Sequence, residues 1–323
     1  MSAVPIPVTK GNYARAETAI IFRTYIKKII AYQSNHGIGV LMHRKRAMDP
    51  NDHTVVRPNF DTLYSFGVFD LTNPAAVTMP DSGRHHILQV INEEHWVPLA
   101  SDQPGRYELD QPSIGSRYAF ILVRTQVNTQ DPNDLKAADR SQEKIEVVAD
   151  KPDHIDIIDQ YDLNDLMALR REYNKRRELE QVKPEMMFGK KGEISDEMRN
   201  FGVAAGWGGL PKALAVYQIP KAVTSTEPQT LTLNNIPMRP GAFWSVTVYD
   251  EEGFATGKSY NINSAFAKKN PNGDFTINFG GPEDQDNHLD IYPGWNAVIR
   301  IYSPTKSYFN GTWSTPQFKP KNQ

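Results

Sequence analysis

The first regular pattern along the chain is a helical one, between residues 12 and 34. Apolar and aromatic positions recur there at the spacing of one helix face: Tyr13, Ala16, Ile20, Tyr25, Ile29 and Tyr32. Three basic residues, Arg23, Lys27 and Lys28, fall on the remaining polar side. Glycine disfavours continuation of a helix, and Gly37 follows soon after. The pattern therefore predicts an N-terminal helix.

From residue 55 to 127 the pattern changes to that of strands. Short β-branched and aromatic runs alternate with turn signals rich in Pro, Gly, Asn and Asp. The clearest strands are predicted at 65–71, 85–91 and 118–123. Turns at such short intervals favour an antiparallel sandwich or barrel over parallel strands joined by helices.

Residues 131–211 have a helical and charged character. Helices are predicted from 131, at 161–179 and at 195–205, where Ser195-Asp196-Glu197 suits a helix start. The remaining chain returns to a strand pattern, with strands predicted at 230–236, 243–249, 254–261, 275–279 and 296–303. We therefore expect a mainly β protein with three parts: a β module with a leading helix at 1–130, a helical connector at 131–211 and a second β module at 212–323.

Composition narrows the class of protein. The chain has 323 residues, with 36 Lys and Arg against 38 Asp and Glu, so its formal charge is −2. A chain without a basic excess is not expected to bind nucleic acid. Because there is no cysteine, the sequence excludes disulfides, a cysteine nucleophile, a thiolate zinc site and an iron–sulfur cluster.

The N-terminal region lacks the marks of a secretory or membrane segment. Its first ten residues have neither the basic start nor the apolar run of a signal peptide. The most apolar early stretch, 19–30, is interrupted by three basic residues and cannot span a bilayer. We therefore expect a cytoplasmic protein with no membrane partner.

Histidine and carboxylate residues are concentrated between positions 85 and 102. The set comprises His85, His86, Glu93, Glu94, His95 and Asp102. Adjacent residues on a strand point to opposite faces, so His85 and His86 cannot share one metal site. We predict no metal and no cofactor and interpret these residues as polar groups at strand ends. A divalent metal near His86, Glu93 or His95 stays an open alternative.

A second group of candidate functional side chains, more closely spaced along the chain, lies between positions 55 and 65. The chain places a cation, an amide, an acid, a hydroxyl and a phenol close together: Arg57, Asn59, Asp61, Thr62 and Tyr64. Arg57 suits a carboxylate ligand because a guanidinium clamps a carboxylate with two hydrogen bonds, and Asp61 suits a general base. The alternative is a purely structural role, in which these side chains bond only to the protein itself and Asp61 caps a turn or pairs with Arg57. Chemistry alone weighs the two interpretations equally.

A second polar set lies in the C-terminal half. On a strand from 296 to 302, alternation places Arg300 and Tyr302 on one face. An arginine among apolar strand residues needs a partner or a ligand. Side chains of the kind that bind sugars or planar molecules add to this set: Trp244, Tyr249, Tyr260, Asn261 and Asn263. For the aromatic members, an ordinary place in a sandwich core is the competing interpretation.

Several stretches resemble the motifs of two families. Arg-Pro-Asn-x-Asp-Thr-Leu-Tyr-Ser at 57–65 resembles the hallmark of domain-of-unknown-function family 1254. Phe-Trp-Ser-Val-Thr-Val-Tyr-Asp at 243–250 and Tyr-Asn-Ile-Asn-Ser at 260–264 resemble its usual companion, family 1214. Val-Ile-Asn-Glu-Glu-His at 90–95, Ala-Gly-Trp-Gly-Gly-Leu-Pro at 205–211 and Phe-Asn-Gly-Thr-Trp at 309–313 are similar to segments of short bacterial members.

The resemblance covers most of the chain and implies two jelly-roll-like β-sandwich modules with an N-terminal helix and a helical connector. It implies no particular reaction. It gives weight to four residues that match the hallmark position by position: Asn59, Asp61, Thr62 and Tyr64. It also supports an acid–histidine pair formed by Glu94 and His95.

Three kinds of function fit these residues, with a small molecule as the predicted partner. The first is a hydrolase or lyase acting on a small polar molecule with a carboxylate, and its predicted catalytic residues are Asp61, Tyr64, Glu94 and His95. The predicted ligand contacts are Arg57, Asn59, Thr62, Asn92, Trp207, Trp244, Tyr249, Tyr260, Asn261, Asn263, Arg300 and Tyr302. The second is a non-catalytic module for carbohydrate or another small ligand. The third is a structural or assembly protein, for which a homo-oligomer is expected.

Overall fold

The computed structural model describes residues 4–33, 37–51, 57–152, 154–157, 160–221, 223 and 225–321. The chain divides into two compact units, each built from three stretches. Unit 1 comprises Met1–Lys45, Tyr64–Thr125 and Ala138–Lys212, and unit 2 comprises Arg46–Leu63, Gln126–Ala137 and Ala213–Gln323.

The described residues form helices and strands in both units. The helices are α1 (Tyr13–Gln33), α2 (Gln111–Ile114), α3 (Pro132–Gln142), α4 (Leu163–Leu179), α5 (Asp196–Gly206) and α6 (Lys306–Phe309). The strands up to residue 212 are β1 (Met42–Arg44), β2 (Thr62–Asp70), β3 (Ala75–Met79), β4 (His86–Asn92), β5 (Leu99–Ser101), β6 (Gly105–Leu109), β7 (Tyr118–Gln126) and β8 (Glu146–Val148). The later strands are β9 (Ala215–Gln218), β10 (Gln229–Leu233), β11 (Trp244–Tyr249), β12 (Asn261–Asn263), β13 (Phe275–Phe279), β14 (His288–Leu289), β15 (Asn296–Tyr302) and β16 (Lys319–Pro320).

Unit 1 contains two sheets that share an apolar core. The larger sheet has the order β1-β2-β7-β4-β5, and the smaller has the order β6-β3-β8. Alternation along the strands of the larger sheet directs Phe69, Val90 and Ile121 into this core. Val77 and Leu109 of the smaller sheet meet them there. Each of these five side chains is at most 1 % exposed.

Helices α1, α4 and α5 pack against the opposite face of the larger sheet. Phe66 of β2 and Phe120 of β7 lie on that face and join a second core with residues of the three helices. The rings of Phe22 in α1 and Phe120 are 5.7 Å apart. Unit 1 is therefore layered, with helices, a five-stranded sheet and a three-stranded sheet in succession.

A buried carboxylate joins α1 to α4 within the helical layer. The Glu17 side chain is 3 % exposed. Arg170 donates to it twice, from Nε to Oε1 at 2.7 Å and from Nη2 to Oε2 at 2.6 Å. The Tyr13 hydroxyl donates to Oε1 at 3.0 Å. The hydrogen bond to Glu17 raises the pKa of Arg170.

Replacing Glu17 with glutamine is expected to lower the free energy of unfolding by about 2–3 kcal/mol, because Arg170 loses its buried counter-charge. Chemical denaturation measures the loss. Glu172→Gln is the matched control on α4, since Glu172 pairs with Lys10 where both side chains are exposed, and its effect is expected to stay below about 1 kcal/mol. Equal effects of the two substitutions would contradict the role given to Glu17.

Unit 2 contains a sandwich of two four-stranded sheets. Their strand orders are β14-β13-β10-β16 and β12-β11-β15-β9. All neighbouring strands are antiparallel except β13 and β14, which are parallel. Val246 and Ile299 from one sheet and Leu231 and Ile277 from the other lie in a common apolar core. Hydrophobic burial between the sheets therefore leaves the other face of β11 and β15 for polar residues.

The mainly β class with a leading helix is confirmed, and Ser195 caps α5 by accepting a hydrogen bond from the Met198 N–H. The strand predicted at 254–261 is wrong, because only Asn261–Asn263 forms a strand. Before it, the backbone N–H groups of Lys258 and Ser259 donate to the Asp290 carboxylate instead of to a strand. The jelly-roll connectivity and the boundaries after residues 130 and 211 stay predictions. No helix in the described ranges is long and apolar enough to cross a bilayer.

Candidate functional site

The hallmark segment at 57–63 lies against the polar face of the β12-β11-β15-β9 sheet in unit 2. This face is the one that alternation leaves outside the sandwich core. Its polar side chains are Ser245, Thr247 and Tyr249 of β11, Asn261 and Asn263 of β12, and Arg300 and Tyr302 of β15. Five of the predicted ligand contacts therefore lie on one sheet face, in the same unit as the predicted acid Asp61.

Asp61 is completely buried in this cluster, with 0 % of its surface exposed. Its Oδ2 accepts a hydrogen bond from the Ser245 hydroxyl at 2.5 Å, and its Oδ1 accepts one from Asn261 Nδ2 at 3.0 Å. Asn261 Nδ2 also donates to Thr247 Oγ1 at 2.9 Å. Both carboxylate oxygens are thus bound within the protein.

Arg300 occupies the other end of the same network. Its Nη1 donates to Thr247 Oγ1 at 3.1 Å, and its Nη2 donates to the Tyr249 hydroxyl at 2.8 Å and to the Arg57 carbonyl at 3.2 Å. The Tyr249 hydroxyl in turn donates to the Pro58 carbonyl at 2.6 Å. These bonds fasten the main chain of the hallmark segment to β11 and β15.

Burial dominates the electrostatics of the cluster. It raises the pKa of Asp61, although Arg300 and the donors Ser245, Asn261 and Asn263 act in the opposite direction. Burial also raises the pKa of Tyr249. For Arg300, burial lowers the pKa, but interactions with Tyr249, Tyr302 and Asp61 outweigh it and raise the pKa. The network therefore places two opposite charges in the protein interior and bridges them through neutral hydrogen-bonding groups.

Two further predicted contacts of unit 2, Asn59 and Asn263, have partners within the protein, whereas Thr62 differs from them. Asn59 donates through Nδ2 to the Tyr302 hydroxyl at 2.8 Å and accepts from the Asp61 N–H at 2.8 Å. Asn263 donates to the Val127 carbonyl at 3.3 Å. Thr62 is buried and, among the described residues, its hydroxyl has no hydrogen-bond partner.

Trp244 and Tyr260, two of the aromatic residues predicted to contact a ligand, also pack against other parts of the protein. Trp244 is 0 % exposed and packs edge-on against Phe275, at 4.9 Å, in the sandwich core. The Tyr260 ring lies 4.7 Å from that of Phe60. Ser245 and Thr247, which bridge Asp61 and Arg300, were not predicted. Their signal in the sequence is the alternation Ser-x-Thr-x-Tyr along β11.

The other predicted residues, Tyr64, Asn92, Glu94, His95 and Trp207, belong to unit 1. The motif at 92–96 forms a tight turn after β4. Asn92 is 5 % exposed, and its Oδ1 accepts from the N–H groups of Glu94 and Trp96 at 3.0 and 2.9 Å. Its Nδ2 donates to the Ile114 carbonyl at 3.0 Å. Asn92 therefore holds the turn in shape from inside.

His95 points from this turn into the helical core. Its φ of 62° is a left-handed conformation that few residues other than glycine adopt. Its Nε2 accepts a hydrogen bond from the Gly208 N–H at 3.0 Å, and its ring lies 5.3 Å from that of Trp207. Burial and, to a lesser degree, the charge of Arg199 lower the pKa of His95 to about 3. His95 is therefore neutral and engaged in packing.

Glu94 leaves the turn in a different direction. Its carboxylate accepts a charged hydrogen bond from Arg15 at 2.6 Å and lies 4.0 Å from Arg199. Trp207 packs edge-on against Phe22 and Phe120, and its Nε1 donates to Thr18 at 3.1 Å. Glu94 and His95 are thus each bound to other partners.

Tyr64, predicted as a hydrogen-bond donor to a substrate, lies beneath a guanidinium in unit 1. The guanidinium carbon of Arg124 is 5.7 Å from the centroid of the Tyr64 ring. Arg124 also donates to Gln89 Oε1 and to the Gly208 carbonyl, at 2.7 Å each. The same arginine thus joins the glycine-rich stretch after α5 to the larger sheet.

The turn at 92–96 forms one wall of a cleft of about 410 Å³. Lining groups include Asn92, Glu94, Trp96, Ser113, Lys190 and Lys191. Trp96, Ser113 and the two lysines were not predicted. The signal for the lysines is their position between two glycines, Gly189 and Gly192, because such a segment is a surface turn.

A metal site in the His- and carboxylate-containing region was left open by the sequence. Within the ranges that the structure describes, no three His, Asp or Glu side chains are grouped so that they could hold a metal ion. His86 is bound to hydroxyl groups, and Glu93 accepts a hydrogen bond from Arg15 at 3.3 Å.

Two family models match segments of the chain. Residues 38–95 match the family model described as Protein of unknown function (DUF1254), and residues 221–306 match the one described as Protein of unknown function (DUF1214). These two matches confirm the resemblance seen in the sequence. Asp61 and the turn after β4 lie in the first segment, and Tyr249, Asn261 and Arg300 lie in the second.

The fold is similar to that of solved structures. The crystal structure of the VPA0106 protein from Vibrio parahaemolyticus matches with a TM-score of 0.66 and 14% identity, over 97% of this chain and 100% of that chain. An uncharacterized protein from Burkholderia cenocepacia matches with a TM-score of 0.47 and 12% identity, over 96% and 87%. Only the first is similar enough to show a shared fold. No curated protein matches the sequence.

Proposed function

We propose that the protein binds a small polar molecule carrying a carboxylate, in the cleft bounded by the turn at 92–96. The observation that carries this proposal is that Lys190 and Lys191 line the same cleft as that turn. A volume of about 410 Å³ lies within the range usual for small-molecule sites. A ligand in this cleft therefore meets both the two cations and the polar groups of the turn.

The rigidity of the wall supports a binding role. The left-handed conformation of His95 costs free energy and persists only where its surroundings hold it in place. Here the turn is held by hydrogen bonds to the Asn92 side chain and by the hydrogen bond from the Gly208 N–H to His95. A turn held in this way keeps its geometry before the ligand arrives, which lowers the entropic cost of binding.

Charge favours an anionic ligand. Glu94 is neutralised by Arg15 and faces Arg199. Lys190 and Lys191 are exposed, and neither ammonium group has an ion-pair partner among the described residues. Glu193 accepts from the backbone N–H of Lys190 rather than from its ammonium group. The two lysines therefore remain available for a carboxylate.

Titration with succinate, citrate, inorganic phosphate and glucose at constant ionic strength tests the proposal. We expect the carboxylates to raise the melting temperature by mass action and glucose to have no effect. In the double variant Lys190→Gln/Lys191→Gln, affinity for the carboxylate is expected to fall by about tenfold or more, because two charge-assisted hydrogen bonds are lost.

The matched control is Lys175→Gln/Lys212→Gln, which removes the same charge from exposed positions of unit 1 outside the cleft. An equal loss of affinity in both double variants would mean that the loss comes from the change in net charge and not from the cleft, which would contradict the proposal. The proposal is also wrong if none of the carboxylates binds, or if phosphate binds and the carboxylates do not.

A hydrolase or lyase acting on a carboxylate-bearing molecule is the second candidate. It is favoured by the buried charges of Asp61 and Arg300 and the raised pKa of Asp61, since perturbed ionisable groups concentrate at functional sites. It ranks second because Asp61, Tyr249 and Arg300 are at most 4 % exposed and bound to protein groups. A structural or assembly role, a cytoplasmic location and a homo-oligomeric state stay predictions from the sequence.

A further inference from the structure

A second buried polar cluster lies in unit 1 and includes none of the residues that line the proposed binding cleft. His86, the first residue of β4, has Ser82 Oγ and Ser141 Oγ each at 2.9 Å from Nε2. Its Nδ1 lies 3.0 Å from Thr125 Oγ1, on the residue directly opposite in β7. Ser141 donates to Ser82 at 2.8 Å. One imidazole is thus surrounded by three hydroxyl groups.

One tautomer of His86 lets Ser82 donate to the imidazole. Burial, followed by the neighbouring charges of His85 and Arg84, lowers the pKa of His86 to about 4, so the imidazole is neutral at pH 7. A neutral imidazole has one donor and one acceptor nitrogen. In the tautomer with the proton on Nδ1, Nδ1–H donates to Thr125 and Nε2 accepts from Ser82, while Ser141 donates to Ser82. Ser82 therefore faces a proton acceptor while receiving a hydrogen bond at its own oxygen.

Ser82 is the member of the cluster that meets solvent. His86, Thr125 and Ser141 are at most 5 % exposed, whereas Ser82 is half-buried in the turn between β3 and β4. The next residue, Gly83, is exposed and has a φ of 70°, and no atom outside residues 82–84 lies within 4 Å of the position its Cβ would take. The turn is therefore open to solvent at Gly83, directly beside Ser82.

We propose that Ser82 is a nucleophile that accepts acyl groups from small activated esters, with His86 as its base. The arrangement is that of an activated serine: a nucleophile within hydrogen-bond distance of a base whose other nitrogen is held by a third group. Ser82 Oγ forms a bond to the carbonyl carbon, the bond from that carbon to the aryl oxygen breaks, and the Ser82 proton passes through His86 Nε2 to the departing aryloxide. Water then attacks the acyl-serine, gives a proton to His86 and releases the carboxylic acid, which restores the Ser82 hydroxyl.

The Thr125 hydroxyl, which holds the other nitrogen of His86, limits the class of substrate. Thr125 is a neutral hydroxyl and not a carboxylate, so it stabilises an imidazolium less than the aspartate of a serine protease does. A weak base suffices only for good leaving groups. Aryl esters and fluorophosphonates are therefore the expected reactants, and amides are not.

Labelling of the intact protein with a fluorophosphonate, followed by mass spectrometry, tests the proposal. The reaction forms a bond between phosphorus and Ser82 Oγ and releases fluoride. We expect one adduct, on Ser82, that is absent from Ser82→Ala. His86→Gln is expected to slow labelling by about 100-fold. If that variant does not fold, Ser141→Ala provides the second test, since it removes the donor to Ser82 and the second hydroxyl beside His86 Nε2 but keeps both Ser82 and His86, and it is expected to slow labelling severalfold.

The control is Ser101→Ala, because Ser101 is also half-buried but its hydroxyl pairs with Tyr107, at 2.7 Å, instead of with a histidine. It is expected to label like the parent protein. The rate is also expected to stay nearly constant between about pH 5.5 and 7.5, since His86 titrates below this range. An adduct on another serine, no adduct, or a rate that falls with an ordinary histidine pKa near 6.5 would each overturn the proposal.

Discussion

Replacing Asp61 with alanine is expected to destabilise the folded protein by about 3–5 kcal/mol, the usual cost of removing one partner from a set of buried charges. Asp61 accepts hydrogen bonds from Ser245 and Asn261, and its charge faces that of Arg300, which is 4 % exposed. Without the carboxylate, two buried donors lose their acceptor and the guanidinium loses its counter-charge. Urea unfolding followed by tryptophan fluorescence measures the loss.

Asp61→Asn separates the anchoring role from a catalytic one. If Asp61 holds the hallmark segment on β11, the amide is expected to cost about 2 kcal/mol, because it keeps the shape but removes the charge and one acceptor. If Asp61 belongs to the active site of a hydrolase or lyase, the melting temperature stays within a few degrees and turnover is abolished.

The control for both Asp61 substitutions is Asp286→Asn in the same unit. Asp286 pairs with Lys268 where the two side chains are 62% and 69% exposed, and its effect is expected to stay below about 1 kcal/mol. A loss of stability in Asp61→Asn no larger than that of this control contradicts the anchoring role.

Acid is expected to destabilise the protein steeply as the pH falls from about 6.5 toward 4. Burial lowers the pKa of His86 to about 4 and that of His95 to about 3, from an ordinary value of 6.5. The unfolded chain therefore binds protons that the folded chain does not, and stability is complete above pH 6.5 and is lost below it. Since a tenfold change in proton affinity corresponds to about 1.4 kcal/mol, each histidine contributes about 3 kcal/mol to the loss between pH 6.5 and 4, and the loss from His95 continues toward pH 3.

The change in unfolding free energy with pH, for the parent protein and for His86→Gln and His95→Gln, checks this expectation. Each substitution is expected to flatten the profile between pH 4 and 6.5, because it removes the part of the pH-dependent loss that comes from the replaced histidine. Asp61 acts with the opposite sign, because a raised folded pKa favours the folded state as the pH falls. His154→Gln is the control, since His154 is 86% exposed. If the unfolding free energy of the parent protein does not change across this pH range, His86 and His95 do not have lowered pKa values in the folded state.

The parts of the fold that the sequence predicts well are those with strong local periodicity. The helix at Tyr13–Gln33 and the strand at Tyr118–Gln126 follow from apolar spacing alone. The smaller sheet of unit 1 was not predicted as a unit. Its strand Glu146–Val148 is largely exposed and pairs with Ala76–Thr78, far back along the chain, so its residues carry no apolar alternation of their own.

Candidate residues were easier to predict than their partners. The sequence identified Asp61, Tyr249 and Arg300 from their chemistry, but not Ser245, which lies 184 residues from Asp61 and binds it directly. A contact between distant positions depends on which strand faces meet, and periodicity within one strand carries no information about that. The same limit applies to Lys190, whose importance depends on the cleft that it lines.

By itself the sequence determined the mainly β class, the leading helix, the two family segments and the lack of cysteine chemistry, because composition, short-range periodicity and motif order suffice for these. Only the tertiary structure decided that Asp61 is buried against β11. It also decided that Glu94 and His95, neighbours in the chain, have separate partners: Arg15 for one and the Gly208 N–H for the other. The physical reason is that burial and hydrogen-bond partners depend on how surfaces from distant parts of the chain meet, and a left-handed turn at one residue is enough to send adjacent side chains to different places.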